Sequence, residues 1–191
     1  MRVFIGLELP EIWREAMVAG KSTMLELDLG WSKEKWVPAE NLHMTLKFMG
    51  DVDAEAAESL AGDLRNGLSG HDPFHLPVKD LMWPLGGLKK ATMLWTTFAD
   101  PDESCKRLVS AVEDVAADYG VVPDSRVFNP HVTLVRTRAQ RTVPRRDEAV
   151  ESMRAVLGDI DSMSVAGVTV FESTLTKHRA FYRSIGSTSL G

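Results

Sequence analysis

The sequence predicts an α+β protein of two related lobes around a groove, and two observations predict it. A short phrase occurs twice, as His43-Met44-Thr45-Leu46 and as His131-Val132-Thr133-Leu134, 88 residues apart in a chain of 191. Each copy follows a turn-like segment, Trp36-Val37-Pro38-Ala39-Glu40-Asn41-Leu42 or Arg126-Val127-Phe128-Asn129-Pro130, and each runs on into residues that read as strand. That spacing is what an internal duplication with pseudo-two-fold geometry gives. The second observation is that strand-like and helix-like segments interleave along the whole chain. No Pro/Gly/Ser-rich linker divides it, so residues 1–191 read as a single two-lobed domain.

The elements follow in order. Residues 2–9 read as a strand, and Pro10 opens a helix whose Trp13, Ala16, Met17, Gly20, Met24 and Leu27 form one stripe. The first motif strand comes next, then a helix over about residues 53–68. Residues 73–78 and 91–98 read as a strand pair joined through Gly86-Gly87. From Pro101 to Tyr119, the positions Leu108, Val112, Val115 and Tyr119 mark an amphipathic helix closed by Gly120. The second motif strand follows, then a short helix over 144–157 and final strands over 163–171 and 180–185.

Strand geometry turns the repeated phrase into chemistry. With a period of two, the His and Thr of each copy share one face, while Met44 and Leu46, or Val132 and Leu134, turn into a core. Each strand then offers one acid/base and one hydroxyl donor. An imidazole titrating near neutrality serves as donor or acceptor, so two of them divide an in-line displacement at phosphorus: one protonates the leaving oxygen and the other activates water. The hydroxyls of Thr45 and Thr133 hold the non-bridging oxygens where charge must be stabilised. Such a set cleaves a phosphodiester without a metal. Phe48 shares parity with Leu46 and so points away from His43, unless the strand ends or bulges there; on the site's face it would stack on a base.

Composition narrows the class. A net charge of −5 argues against broad, sequence-independent grip on duplex nucleic acid. Cations do gather after the second motif, at Arg136, Arg138, Arg141, Arg145 and Arg146, where a solvated face explains most such runs. Cys105 is the only cysteine, which excludes an intramolecular disulfide and suits a reducing cytoplasm. Met1–Pro10 is too short for a signal peptide, and no apolar run reaches the length of a membrane span. His71 and His75 have i, i+4 spacing, but Pro73 between them opposes a helical metal pair. With no P-loop and no carboxylate-rich metal phrase, neither ATP nor a catalytic metal is expected. A cytoplasmic monomer that uses no cofactor is the expectation.

Four stretches, MRVFIGLELP, WVPAENLHMTLKFMG, RVFNPHVTLVR and FESTLTKHRAFYRSI, stand in this order from residue 1 to about residue 186. Together they resemble the RNA 2′,3′-cyclic phosphodiesterases of the 2H phosphoesterase superfamily, once named 2′-5′ RNA ligases. The resemblance implies a two-lobed α+β fold with antiparallel sheets lining a central groove. It also implies hydrolysis of a 2′,3′-cyclic phosphate at an RNA end to a 2′-phosphomonoester, with reversal giving 2′-5′ ligation. His43 would then be general acid toward the 3′ oxygen, His131 general base toward water, and Thr45 and Thr133 the phosphate holders. Arg126 lies five residues before His131, where the family carries an arginine, and would add a guanidinium to the phosphate site; its alternative is a surface salt bridge. Two further readings are a phosphoesterase acting on small cyclic nucleotides or 2′-5′ linkages, and an RNA-end binding module with little turnover. The presence of both histidines and both threonines argues against the binding module.

Overall fold

In the computed structural model, which describes residues 1–82, 91–141, 146–158, 160–177 and 179–191, the two motif phrases open strands of two different sheets. The first motif strand, β3 (His43–Asp51), is the edge of a four-stranded sheet in which β1 (Arg2–Glu8), β8 (Gly167–Leu175) and β9 (Ala180–Ser189) follow it. The second, β6 (His131–Arg141), belongs to a five-stranded sheet with β5 (Ala91–Phe98), β4 (Phe74–Met82) and β7 (Ser162–Val165). On its other side β6 carries only the two-residue β2 (Lys35–Trp36). Neighbouring strands in both sheets are antiparallel, and β3 lies against β6.

The helices interlock the halves. Helix α1 (Glu11–Leu27) follows β1 but covers the other sheet: the Trp13 ring meets Phe98 of β5 edge-on at 5.3 Å, and its Nε1–H donates to the Ser162 carbonyl at 3.1 Å. Helix α4 (Arg146–Leu157) packs beside it. Helix α3 (Ser104–Asp118) follows β5 yet lies against β3, and α2 (Ala54–Gly67) lies against β8, β9 and α3. Each half's crossing helix thus covers the other half's sheet, and the buried apolar residues form a continuous cluster.

Local signals account for most boundaries. Asp53 accepts from the Ala56 amide at the start of α2, and the Asp100 carboxylate accepts from the Cys105 and Lys106 amides, which starts α3 at Ser104 instead of Pro101. Gly120 closes α3 with φ of +74°. The expected single strand over 163–171 is two strands in different sheets, β7 and β8, because the chain changes sheets at Ala166. Gly167 permits the new pairing, since a Cβ there would stand 2.8 Å from the Thr188 carbonyl oxygen. β2 and the 3₁₀ turn over Leu29–Lys33 had no counterpart in the sequence reading, while the 3₁₀ turn over Ala39–Asn41 lies in the segment that read as turn-like. The Gly86-Gly87 junction, Trp83 and residues 144–145 lie outside the described residues. No helix among the described residues is long and apolar enough to cross a membrane.

Both motif strands bulge at the same place. On β3, Thr45 pairs with Gly6 and Lys47 with Ile5, which leaves Leu46 as the extra residue. On β6, Thr133 pairs with Trp95 and Val135 with Leu94, which leaves Leu134 as the extra residue. Each bulge reverses the alternation, so that the residue five beyond the histidine, Phe48 or Arg136, returns to the histidine's face. The reversal also turns Lys47 inward. Its side chain, 6% exposed, meets Glu113 of α3 at 2.5 Å and donates to the Val122 carbonyl at 2.8 Å. That lysine ties the first motif strand to the loop leading to the second. Replacing it by methionine strands a largely buried carboxylate and is expected to cost about 3 kcal/mol or more in urea unfolding. The double variant K47M/E113L should recover most of that loss; equal losses in the two would show that the ion pair is not what the single change disrupts.

Candidate active site

The site is built on one hydrogen-bond pattern used twice. His43 Nδ1 lies 2.6 Å from the Asn41 carbonyl oxygen, and His131 Nδ1 lies 2.8 Å from that of Asn129. A carbonyl only accepts, so each Nδ1 carries the proton, and in the neutral ring each Nε2 is the free base. The acceptor comes from the residue two before each histidine, an asparagine in both copies. Asn41 is itself buried and held, its Nδ2 donating to the Ala180 carbonyl of β9 at 2.7 Å. His43 Nε2 lies 3.0 Å from Thr45 Oγ1, so strand alternation places the hydroxyl beside the reactive nitrogen.

The two rings sit in different surroundings. His43 is set among aromatics, with Phe4 centred 4.7 Å away and Tyr182 meeting it edge-on at 5.1 Å; Phe171 stacks on Phe4 at 4.9 Å. A cavity of about 190 Å³ adjoins it, lined by Glu8, Arg14, Asn41, Phe171 and Tyr182 among others. His131 lies instead over the Trp95 indole, with ring centroids 3.8 Å apart. Burial pushes both imidazoles below their ordinary value, and the carbonyl hydrogen bonds act in the opposite sense. The positive charge of Arg136 lowers both further, and His131 adds to the effect on His43. Arg136 also lowers Tyr182, against the raising effect of that phenol's burial. The two histidines, Tyr182 and Arg136 therefore share one electrostatic neighbourhood across the two sheets.

Arg136 is the site residue that the sequence reading left in a general run of cations. Its signal is positional: it stands five beyond His131, as Phe48 stands five beyond His43, and the bulges return both to the groove face. Its guanidinium rests on the Met93 sulfur of β5 at 3.0 Å. Phe48, off the face in unbroken alternation, is on it and 65% exposed, its ring 6.2 Å from that of Phe4. Thr133 follows His131 on the same face, opposite Trp95. Arg126 occupies the salt bridge named as its alternative: its guanidinium holds Asp124 at 2.8 Å with the side chain 85% exposed, and it keeps the Asp124 carboxyl down at about 2. Neither imidazole is shifted by Arg126. Cys105 is buried, and burial followed by the nearby Asp100 pushes its thiol up to about 12, which leaves it a spectator.

The chain is similar in sequence and in fold to known proteins. An RNA 2′,3′-cyclic phosphodiesterase of Escherichia coli is 30% identical over 147 residues, covering 75% of this chain and 76% of that protein. One from Methanothermobacter thermautotrophicus is 26% identical over 183 residues, 95% of each chain. Among solved structures, E. coli LigT complexed with 3′-AMP superposes with a TM-score of 0.74 at 24% identity, over 99% of this chain and 97% of that one. Thermus thermophilus TT0787 does so with the same score at 20% identity, over 100% and 98%. These superpositions match the two-lobed α+β fold that the sequence predicts. The sequence also matches the profile of the LigT-like phosphoesterases over residues 23–82 and 99–182. With both motifs inside the matched segments and the fold shared along its whole length, the chain belongs to the LigT-like phosphoesterase family.

Proposed function

We propose that this protein is an RNA 2′,3′-cyclic phosphodiesterase that opens the cyclic phosphate at an RNA end to a 2′-phosphomonoester. The observation that carries the proposal is the pair of Nε2 atoms, one from each sheet, each left free by an Nδ1–H bond to a backbone carbonyl. Relatives covering most of the chain bear the name of this activity, and E. coli LigT has been crystallised with a nucleotide.

The reaction follows from that pair. His131 Nε2 takes a proton from water as the oxygen attacks phosphorus; the bond from phosphorus to O3′ breaks, and protonated His43 gives its Nε2 proton to O3′. The low proton affinity imposed by burial suits His43 to the release of a proton. Arg136, whose charge reaches both rings, holds the non-bridging oxygens together with the Thr45 and Thr133 hydroxyls, while Arg126 orders its own loop through Asp124. The exposed Phe48 ring offers a stacking face for a base. A 2′,3′-cyclic phosphate forms only where a 2′-hydroxyl exists, so the ring itself selects RNA ends over DNA ends. A 5′-hydroxyl in place of the attacking water, with His131 again as base and His43 again as acid toward O3′, gives a 2′-5′ linkage, and the two roles exchange when that linkage is cleaved back to the cyclic end.

The test is incubation, with EDTA present, of a short RNA ending in a 2′,3′-cyclic phosphate and, separately, of cyclic mononucleotides. Conversion of the RNA to the 2′-phosphate is expected, with a fall of about 10²- to 10⁴-fold in H43A and in H131A while oligonucleotide binding stays within a few-fold. Opening of mononucleotides alone would move the assignment to a small-substrate phosphoesterase, and no turnover of either to a binding module. A second comparison separates the two arginines. R136M should lower kcat/KM by about 10²-fold and move both limbs of the pH profile to higher pH, since removing a positive charge eases protonation of both histidines. R126M should do neither; the reverse ranking would return the phosphate role to Arg126.

A further inference from the structure

We propose that Trp95 is the positioning residue of the second-motif histidine, its indole face fixing the His131 ring and stabilising the imidazolium formed when His131 takes a proton from water. The catalytic half of this proposal rests on the hydrolytic reading above. The two rings lie 3.8 Å apart between centroids and 29° from parallel, a stacked arrangement rather than an edge contact. A cation over an indole face is attracted by the ring's quadrupole, and indole is the strongest of the aromatic faces in this respect. The Nδ1–H bond to Asn129 fixes one in-plane direction of the imidazole, and the stack fixes its plane.

The pseudo-symmetry shows that this platform belongs to one half only. Trp95 pairs with Thr133 as Gly6 pairs with Thr45. At Gly6 no ring fits, because even a Cβ would stand 2.8 Å from the Met44 carbonyl oxygen. His43 therefore has tilted and edge-on aromatic neighbours, and His131 has a face. The tryptophan is kept at a cost, since its buried Nε1–H finds no acceptor among the described residues, a cost phenylalanine would not carry.

The charged groups near His131 otherwise oppose its protonation. From β3 it faces His43, and from its own strand Arg136; β5 presents Trp95 and Thr97, neither of them charged, and β2 pairs only as far along β6 as Val135 and Arg136. The Asn129 carbonyl and the indole face are what favours the charged ring among the described residues. A base that becomes cationic in the transition state gains from the indole most when it is charged, so the stack lowers the barrier more than it tightens substrate binding.

The test is an NMR titration of the imidazole Cε1–H resonances in the unaltered protein, W95F and W95L, alongside kcat and KM on the cyclic-ended RNA. In W95L the proton affinity of His131 should fall about three- to tenfold and in W95F by less, with His43 changing little. kcat should fall at least tenfold in W95L and KM should stay within about threefold. An unchanged His131 titration in folded W95L, or a loss confined to KM, would overturn the proposal. If W95L does not fold by circular dichroism, W95F decides on the same readings. No hydrolysis by the unaltered protein would overturn the catalytic half, and the titration would still decide the stack.

Discussion

A β-strand alternates its side chains strictly, and this site depends on breaking that alternation at Leu46 on one side and at Leu134 on the other. Had β3 and β6 run without their bulges at Leu46 and Leu134, the histidine and threonine of each phrase would still face the groove. The residue five beyond each histidine would then turn into the core. The bulges restore Phe48 and Arg136 to the groove and send Lys47 inward to Glu113. The same local irregularity thus supplies an aromatic face on one side, a cation on the other, and the buried ion pair that fastens one motif strand to the approach of the other. The two sheets meet where β3, the edge of its sheet, lies against β6.

The duplication supplies symmetry of position, and the neighbours supply difference of character. Both histidines are oriented by a carbonyl two residues back, and both are desolvated. One is enclosed by Phe4 and Tyr182 beside a small polar cavity, while the other rests on Trp95. Acid and base chemistry needs two groups that respond differently to a proton at the same pH, and different surroundings are how one residue type serves both. The interlocked helices hold that arrangement, because the helix leaving each half covers the sheet of the other.

The sequence made the repeated chemistry legible because it is local. A His and a Thr two apart on a strand share a face whatever the tertiary fold, and the apolar stripes of α1 and α3 are equally local. What was not legible depends on partners. A bulge is a relation between two strands, so nothing within HMTLKF or HVTLVR announces it, and Arg136 read as one more surface cation. The change of sheet at Ala166 was hidden because Met163, Val165, Val168 and Val170 are all buried and read as one run. The resemblance made Arg126 a candidate for the phosphate site, yet Asp124 two residues earlier engages it, as short-range sequence allows but does not require. Nothing in the strand segment 91–98 marks Trp95 for the site, because its stacking partner comes from another strand.

Both histidines present a proton-free Nε2 to the groove because both hold their proton on Nδ1. Long-range ¹H–¹⁵N correlation of the imidazole rings in uniformly ¹⁵N-labelled protein, recorded above the titration of both groups, reads the tautomer directly. The Nδ1–H form is expected for both His43 and His131. An Nε2–H form at either would contradict it, since the Nδ1 facing the Asn41 or Asn129 carbonyl would then have no proton to donate.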